Sequence, residues 1–173
     1  MENRYFIAFS LPDDVGRIIT DAQNELLDGY LVMQPFQPHI TLVPPNVLDK
    51  IPPESILPDL KSVAGKFLPL RIKLSGFGMF ENRVLYITAT GPKLADLQNS
   101  LIQTLPYEAQ SKSNRGFIPH ITLAQAKPKQ ELSGELIHKL KDIIGPSLPL
   151  VFETKNISKF KWLRPRTYED KVI

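Results

Sequence analysis

The chain has 173 residues, of which 42% are apolar and 23% charged, and it contains no cysteine. This length and composition are typical of one soluble globular domain, and the lack of cysteine excludes disulfides, thiolate zinc sites and cysteine nucleophiles. No apolar stretch approaches the roughly 20 residues of a membrane span. The net charge of +3 permits a phosphate-bearing partner, although a long nucleic-acid track would usually show a denser basic stripe.

In chain order, the first half alternates between strand and helix patterns. Residues 5–11 have the β-branched and aromatic content of a buried strand. They are followed by Pro12-Asp13-Asp14 and lack a basic leader and a cleavage site, so they predict a strand and no signal peptide. The absence of cysteine and of a signal peptide favours the cytoplasm. The elements predicted next are a helix from 13 or 14 that ends at Asp28-Gly29, a strand at 38–43, a weaker helix at 55–67 and a strand at 70–74.

The second half repeats this order. The predicted elements are a strand at 84–90, a helix that opens at Pro92, a strand at 117–124, a helix at 132–144 and closing strands at 148–152 and 156–163. Gly76, Gly78 and Glu81-Asn82 supply turn residues for a hairpin between the two halves. Because no linker or composition break marks the midpoint, we expect residues 1–173 to form one domain with two similar lobes.

A pentapeptide occurs twice, as Pro-His-Ile-Thr-Leu at 38–42 and at 119–123. Side chains on a strand alternate between two faces, so His39 and Thr41 share one face, as do His120 and Thr122. Each copy therefore buries an isoleucine and a leucine and presents an imidazole beside a hydroxyl. If a pseudo-two-fold axis relates the lobes, the two polar faces meet across a cleft.

Two facing imidazoles and two hydroxyls suit an oxyanion substrate. One histidine would activate water, the other would protonate the leaving oxygen, and the threonines would donate hydrogen bonds to the non-bridging oxygens. A single histidine in an apolar strand is more often structural. Packing alone, however, does not require His and Thr at matched positions in both halves.

A metal site is a weaker alternative. Two histidines are too few for most structural zinc sites, and no Asp or Glu lies within the repeats to complete a ligand set. The third histidine, His138, falls on a predicted helix between Ile137 and Lys139, at an expected solvated edge. We therefore predict neither a metal nor a cofactor.

The paired motifs His39-Ile40-Thr41-Leu42 and His120-Ile121-Thr122-Leu123 resemble those of the two-histidine (2H) phosphoesterase superfamily. The chain is most similar to its branch of RNA 2′,3′-cyclic phosphodiesterases, or 2′-5′ RNA ligases. The resemblance covers nearly the whole chain, including the opening strand at 4–9, the hairpin at 76–86 and the second motif at 117–124.

The resemblance implies a bilobal α+β fold in which two antiparallel sheets face a central groove and helices lie outside. It also implies metal-independent opening of a 2′,3′-cyclic phosphate, on RNA ends or small nucleotides, to a 2′-phosphomonoester. His39 would be the proton donor to the departing 3′ oxygen and His120 the base that activates water. Thr41 and Thr122 would hold the phosphate. Separately, we expect the protein to act as a monomer, without a membrane or metal partner.

Further candidates for substrate contact carry aromatic or basic side chains. Phe36, Phe80 and Trp162 would stack on a base, although ordinary packing is the more frequent role of such residues. Arg83, Arg115, Arg164 and Lys112 are candidate phosphate partners, with solvated surface positions as the default for each. Lys112 and Arg115 are best placed by sequence, just before the second motif.

Two departures from the family pattern keep other functions open. Family members often carry an arginine where this chain has Gln125, and Val43-Pro44-Pro45 follows the first motif in place of the more usual aromatic and small residues. One alternative is ligation of a 2′,3′-cyclic end to a 5′-hydroxyl at the same site. Another is a non-catalytic module that binds RNA ends or a cyclic nucleotide.

Overall fold

The computed structural model describes residues 4–27, 37–113, 116–163 and 167–173. The strands are β1 (Tyr5–Ser10), β2 (His39–Val43), β3 (Leu70–Phe80), β4 (Val84–Thr90), β5 (His120–Gln125), β6 (Leu150–Thr154), β7 (Ser158–Leu163) and β8 (Thr167–Val172). The helices are α1 (Asp13–Leu27), α2 (Pro53–Ala64), α3 (Leu94–Thr104), α4 (Tyr107–Gln110) and α5 (Glu135–Ile143). The predicted alternation of strands and helices in both halves is confirmed.

Two four-stranded antiparallel sheets form the framework. The first sheet has the order β2-β1-β7-β8 and the second has the order β5-β4-β3-β6. Each motif strand is thus the edge strand of its own sheet, and β2 and β5 lie close to one another. This α+β arrangement confirms the predicted fold class, and it brings the two polar strand faces to the junction of the sheets.

The third strand of the first half does not join the sheet of the first motif. β3 pairs instead with β4 and β6, while β7 and β8 complete the first sheet. The sheets are therefore built from both halves of the chain. Two elements had not been predicted: the single-turn helix α4, and β8, whose sequence Thr-Tyr-Glu-Asp-Lys-Val is too polar to predict a strand. β8 is an edge strand, where such polarity is tolerated.

The predicted hairpin between β3 and β4 is confirmed, and two of its predicted turn residues form the turn. The turn lies at Glu81 and Asn82, both with positive φ, and Arg83 N–H donates to Phe80 O at 2.8 Å. Gly76 and Gly78 lie within β3 instead of in the turn. Gly76 has φ +76° next to a register shift between Leu74 and Phe77, so it supplies the backbone of a β-bulge.

One apolar core extends over both sheets and the helices that cover them. Ile40 and Leu42 of the first repeat, and Ile121 and Leu123 of the second, are at most 2% exposed. The same core cluster includes Leu60 of α2, and it continues to α3 and α5. The apolar half of each repeat is therefore buried as predicted, which fixes the opposite face of each motif strand toward the groove.

Both motif strands carry a bulge at the same position. In the first sheet the register shifts so that Thr41 pairs with Ala8 and Val43 with Ile7; in the second, Thr122 pairs with Tyr86 and Ala124 with Leu85. The leucine of each repeat is the extra residue. The duplication thus extends from sequence to backbone irregularity, and strand alternation is interrupted directly after each threonine.

Candidate active site

Both motif histidines are held by the same backbone hydrogen bond. Nδ1 of His39 lies 2.7 Å from Gln37 O, and Nδ1 of His120 lies 2.7 Å from Ile118 O. A carbonyl oxygen only accepts, so Nδ1 carries the proton in each ring. Nε2 is then the nitrogen that gains or loses a proton, and the same tautomer and orientation are fixed in both copies.

A pair of stacked aromatic rings lies beside each histidine. The His39 ring is 4.9 Å from Phe6 and 5.2 Å from Phe160, which stack on each other at 5.0 Å. These distances join ring centroids. Phe6 is 3% exposed and Phe160 is fully buried. This pair therefore packs against the His39 ring on its buried side and leaves no ring face accessible to a ligand.

The second histidine has a more accessible aromatic pair. The His120 ring meets Phe80 edge-on at 5.0 Å and lies 5.1 Å from Tyr86, and Phe80 stacks on Tyr86 at 4.3 Å. Both rings are only partly buried. The Tyr86 ring lies over Gly78 of the neighbouring strand, where a Cβ would overlap the end of the ring. The second sheet therefore presents an aromatic surface to the groove beside its histidine.

Burial dominates the electrostatics of both imidazoles. It lowers the pKa of His39 from its ordinary value of 6.5 to about 4, against the opposing hydrogen bond to Gln37 and with a smaller contribution from the charge of His120. Burial also lowers the pKa of His120, again against its backbone hydrogen bond. The two histidines thus lie within electrostatic range of each other, and double protonation is disfavoured.

The threonines lie two residues beyond the histidines on the same face. Thr41 and Thr122 are partly exposed, each next to its histidine along the strand. Gln23 of α1 donates from Nε2 to Thr122 O at 3.0 Å, while its Oε1 is buried without a hydrogen-bond partner among the described residues. Because β5 is an edge strand, this bond from α1 replaces a missing strand partner at the bulge.

The bulge at Leu123 also decides where the next side chains point. Ala124 pairs with Leu85 and is buried, whereas Gln125 pairs with Val84 and shares a face with Thr122 and Tyr86. Gln125 therefore lies on the groove side of β5. An arginine at this position would place its charge on the same face as His120.

The remaining sequence candidates differ in where the structure places them. Phe80 lies at the site, beside His120. Arg83 follows the hairpin turn and donates from Nη2 to Lys127 O at 3.5 Å, near the Gln125 end of the groove face. Lys112 is exposed on a 3₁₀ turn (Ser111–Ser113), and none of the contacts among the described residues places it at the histidines. Phe36, Arg115, Arg164 and the Trp162 side chain lie outside the described residues.

Sequence reasoning missed several supporting residues. Phe6, Phe160 and Tyr86 lie on strands that neighbour the motif strands, so their roles depend on pairing that the sequence does not show. Asp170 of β8 accepts from Gln37 Nε2 at 3.4 Å and from Ser10 Oγ at 2.9 Å. These bonds tie the segment that orients His39 to the far edge of the first sheet.

The described residues contain no group of three His, Asp or Glu side chains that could hold a metal ion. The donor set at the groove is two imidazoles and two hydroxyls. Within the same residues, no helix is both long enough and apolar enough to cross a membrane.

Comparison with solved structures shows the same fold over nearly the full chain. TT0787 of Thermus thermophilus superimposes with a TM-score of 0.69 at 24% identity, covering 98% of this chain and 94% of that one. E. coli LigT complexed with NADP+ gives 0.63 at 20% identity, covering 99% and 95%. E. coli LigT complexed with 3′-AMP gives 0.57 at 17% identity, covering 99% and 94%.

At the level of sequence, no curated protein matches the chain. A family model, that of the 2′-5′ RNA ligase superfamily, matches residues 11–164. The match includes both His-x-Thr motifs and all but the first and last strands of the fold. It supports phosphoester chemistry as the general activity. This chain belongs to the 2′-5′ RNA ligase superfamily of 2H phosphoesterases.

Proposed function

We propose that this protein hydrolyses 2′,3′-cyclic phosphates, on RNA ends or small nucleotides, to 2′-phosphomonoesters. The observation that carries the proposal is the matched pair of histidines, each held through Nδ1 by the carbonyl two residues earlier and each on a motif strand at the junction of the sheets. Membership of a superfamily of phosphoesterases and ligases supports the reaction class. One structural neighbour, E. coli LigT, was solved with a nucleotide monophosphate, 3′-AMP.

The reaction needs one proton removed and one supplied. Nε2 of His120 accepts a proton from water, the water oxygen bonds to phosphorus, and the bond from phosphorus to the 3′ oxygen breaks. Nε2 of His39 gives its proton to that oxygen, so the products are a 2′-phosphomonoester and a free 3′-hydroxyl. Thr41 and Thr122 donate to the non-bridging oxygens, where charge accumulates in the transition state.

The lowered pKa values are compatible with these roles. In the free protein both imidazoles favour the neutral form, which suits the base but not the acid. A phosphodiester carries one negative charge, and an anion between the rings raises the pKa of the histidine that it contacts. Substrate binding would therefore load the acid with its proton, while the second histidine stays neutral.

Phe80 and Tyr86 are the proposed base-binding surface. They form the accessible aromatic pair beside His120, whereas Phe6 and Phe160 are buried. Base stacking on an aromatic ring is worth about 1–3 kcal/mol and tolerates every base. This surface accordingly favours nucleotides over other cyclic phosphodiesters without selecting one base.

The test is turnover of a 2′,3′-cyclic mononucleotide by single-histidine variants. His39→Ala and His120→Ala should each lower kcat by at least about 10²-fold, because each removes one proton-transfer group. His138→Ala is the matched control, since His138 is exposed on α5, and it should retain full activity. Full turnover by both motif variants, with folding confirmed by circular dichroism, would refute the proposal.

We further propose that the protein acts without a metal, as a monomer and in the cytoplasm. Activity should persist in EDTA, and gel filtration should give the mass of one 19.6 kDa chain during turnover. Loss of activity in EDTA with recovery on adding a divalent cation would replace the two-histidine mechanism by a metal-assisted one.

Ligation is the second candidate function, because the matching family is described as one of RNA ligases. The same histidines would then transfer a proton from a 5′-hydroxyl instead of from water. Incubation with paired RNA fragments, one with a 2′,3′-cyclic end and one with a 5′-hydroxyl, distinguishes the two by product length. Tight binding of these RNAs without hydrolysis or ligation would instead indicate a non-catalytic binding module, the alternative suggested by Gln125 in place of an arginine.

A further inference from the structure

The groove face of the second sheet continues beyond the histidine to an exposed basic surface. Thr88 pairs with His120, and Thr90, two residues further on the same face of β4, pairs with Lys73 of β3. Arg71 precedes Lys73 by two residues, so it shares that face as well. The core residues Leu70, Ile72 and Leu74 alternate with them on the opposite face.

Strand geometry sets the distance of this surface from the catalytic groups. Lys73 is two strands and two residues away from His120, which corresponds to about 12 Å between Cα atoms at ~4.8 Å per strand and ~3.4 Å per residue. Arg71 lies one further pair of residues along β3. Lys73 and Arg71 are thus farther from a phosphate bound between the histidines than from the following phosphates of the same RNA strand.

The two cations line an open cleft of about 630 Å³ together with Thr90, Gly91, Pro149 and Val151. Val151 is 43% exposed, and both cations are exposed. Glu153 is the acidic neighbour on this face, opposite Arg71 across β3 and β6. Its carboxylate lies 3.8 Å from Lys155 Nζ, so part of its charge is already balanced. The cleft therefore has positive charge available for an anion.

We propose that Arg71 and Lys73 bind the phosphate backbone of a single RNA strand whose 2′,3′-cyclic end lies at His39 and His120. This inference rests on the proposed function. A 2′,3′-cyclic phosphate closes the 3′ end of a strand, so the remaining nucleotides extend from its 5′ oxygen, each with one negative charge. The surface favours an oligoribonucleotide over a free cyclic nucleotide, because only a strand reaches both places.

The test compares one substrate that reaches the surface with one that does not. The double variant Arg71→Gln, Lys73→Gln is assayed on a 2′,3′-cyclic mononucleotide and on a ten-nucleotide RNA with a 2′,3′-cyclic end. Kinetics on the mononucleotide should be unchanged. For the RNA, KM should rise about 3- to 20-fold at low salt. The slope of log(kcat/KM) against log salt, which is negative, should become less negative by about 1.4 for two lost contacts.

The matched control is Lys66→Gln, Lys141→Gln, which removes the same charge from exposed positions after α2 and on α5. It should behave as the unmodified protein on both substrates. An unchanged KM for the RNA in the Arg71, Lys73 variant, or an equal rise in both double variants, would overturn the proposal.

The two proposals fail in different ways. If the unmodified protein hydrolyses neither substrate, the catalytic proposal fails and the surface is tested by binding of the same RNA, measured by fluorescence anisotropy. Weaker binding by the Arg71, Lys73 variant alone supports the surface. Equal binding by all three proteins contradicts it.

Discussion

At the scale of single residues, the two histidines are alike in their anchoring and differ in their surroundings. Both donate through Nδ1 to the carbonyl two residues earlier. His39 packs on the buried rings of Phe6 and Phe160, while His120 meets the accessible rings of Phe80 and Tyr86. The proposed acid and the proposed base come from one motif and thus differ through the strands beside them.

The lowered pKa values of the two histidines predict that kcat/KM, which reports on the free protein, is largest at acidic pH. The proposed mechanism needs one histidine protonated and one neutral, and both pKa values lie below 6.5, that of His39 at about 4. The singly protonated form therefore grows as the pH falls below 6.5. We expect kcat/KM for a cyclic mononucleotide to be largest below that pH and to fall by up to about tenfold per unit above it.

The pH profile of kcat should lie closer to neutrality, because the bound phosphodiester anion raises the pKa of the acid. Both profiles are measured between pH 4 and 9, with His138→Ala as the control that should leave them unchanged. An optimum of kcat/KM at pH 8 or above would contradict the proton roles.

At the scale of elements, the bulges and neighbours of each motif strand shape the site. The bulge after Thr122 turns Gln125 back to the groove face, and Gln23 of α1 satisfies the carbonyl at that position. β3 contributes Phe80 and also Gly78, the residue that leaves room for the Tyr86 ring. Helix, edge strand and hairpin thus jointly form the second half of the site.

Gly78→Ala tests whether the Phe80 and Tyr86 rings bind the base, because Gly78 lies on β3 directly against the Tyr86 ring. The new Cβ overlaps the far end of the Tyr86 ring, which is partly exposed and able to swing aside, so the fold should persist. Because stacking is worth about 1–3 kcal/mol, we expect KM for a cyclic nucleotide to rise at least about 3-fold, and more in Tyr86→Leu.

Gly134→Ala is the matched control, since a Cβ there meets no atom within 4 Å. Steady-state kinetics of the three variants gives the comparison. If KM is unchanged in both Gly78→Ala and Tyr86→Leu, the aromatic pair does not bind the base.

At the scale of the whole molecule, the two sheets share one core, and each sheet contains strands from both halves of the chain. β3 follows the first motif in sequence yet belongs to the second sheet, and the core cluster includes Ile40 of one repeat and Ile121 of the other. We propose that residues 1–173 form a single domain whose two lobes, each with one motif, unfold together.

Core truncation in one sheet should destabilise the other. Ile121→Ala removes a fully buried side chain from β5, which should lower the free energy of unfolding by about 2–5 kcal/mol. Urea unfolding is followed by far-ultraviolet circular dichroism and by the fluorescence of Trp162, the single tryptophan, on β7 of the first sheet.

If the two lobes unfold together, the unfolding curves from circular dichroism and from tryptophan fluorescence should have the same urea midpoint. Ile121→Ala should lower this midpoint in both curves, and Ile40→Ala should do the same. If Ile121→Ala does not change the urea midpoint of the tryptophan fluorescence curve, the lobes unfold independently.

The sequence by itself determined the chemical groups and their local faces. Two copies of His-x-Thr with apolar partners fix which side chains are buried, because alternation along a strand is a local property. The order of elements was predictable for the same reason, whereas the fold class and the family were predictable from the resemblance of the paired motifs to a known superfamily.

Only the tertiary structure decided the partners. That β3 also joins β6, that Tyr86 and Phe160 lie beside the histidines, and that Lys73 shares a face with His120 all follow from strand pairing between distant segments. The bulges at Leu42 and Leu123 have no local signal either, yet the bulge at Leu123 turns Gln125 toward the groove. Long-range pairing is set by the packing of the whole core, which local periodicity does not encode.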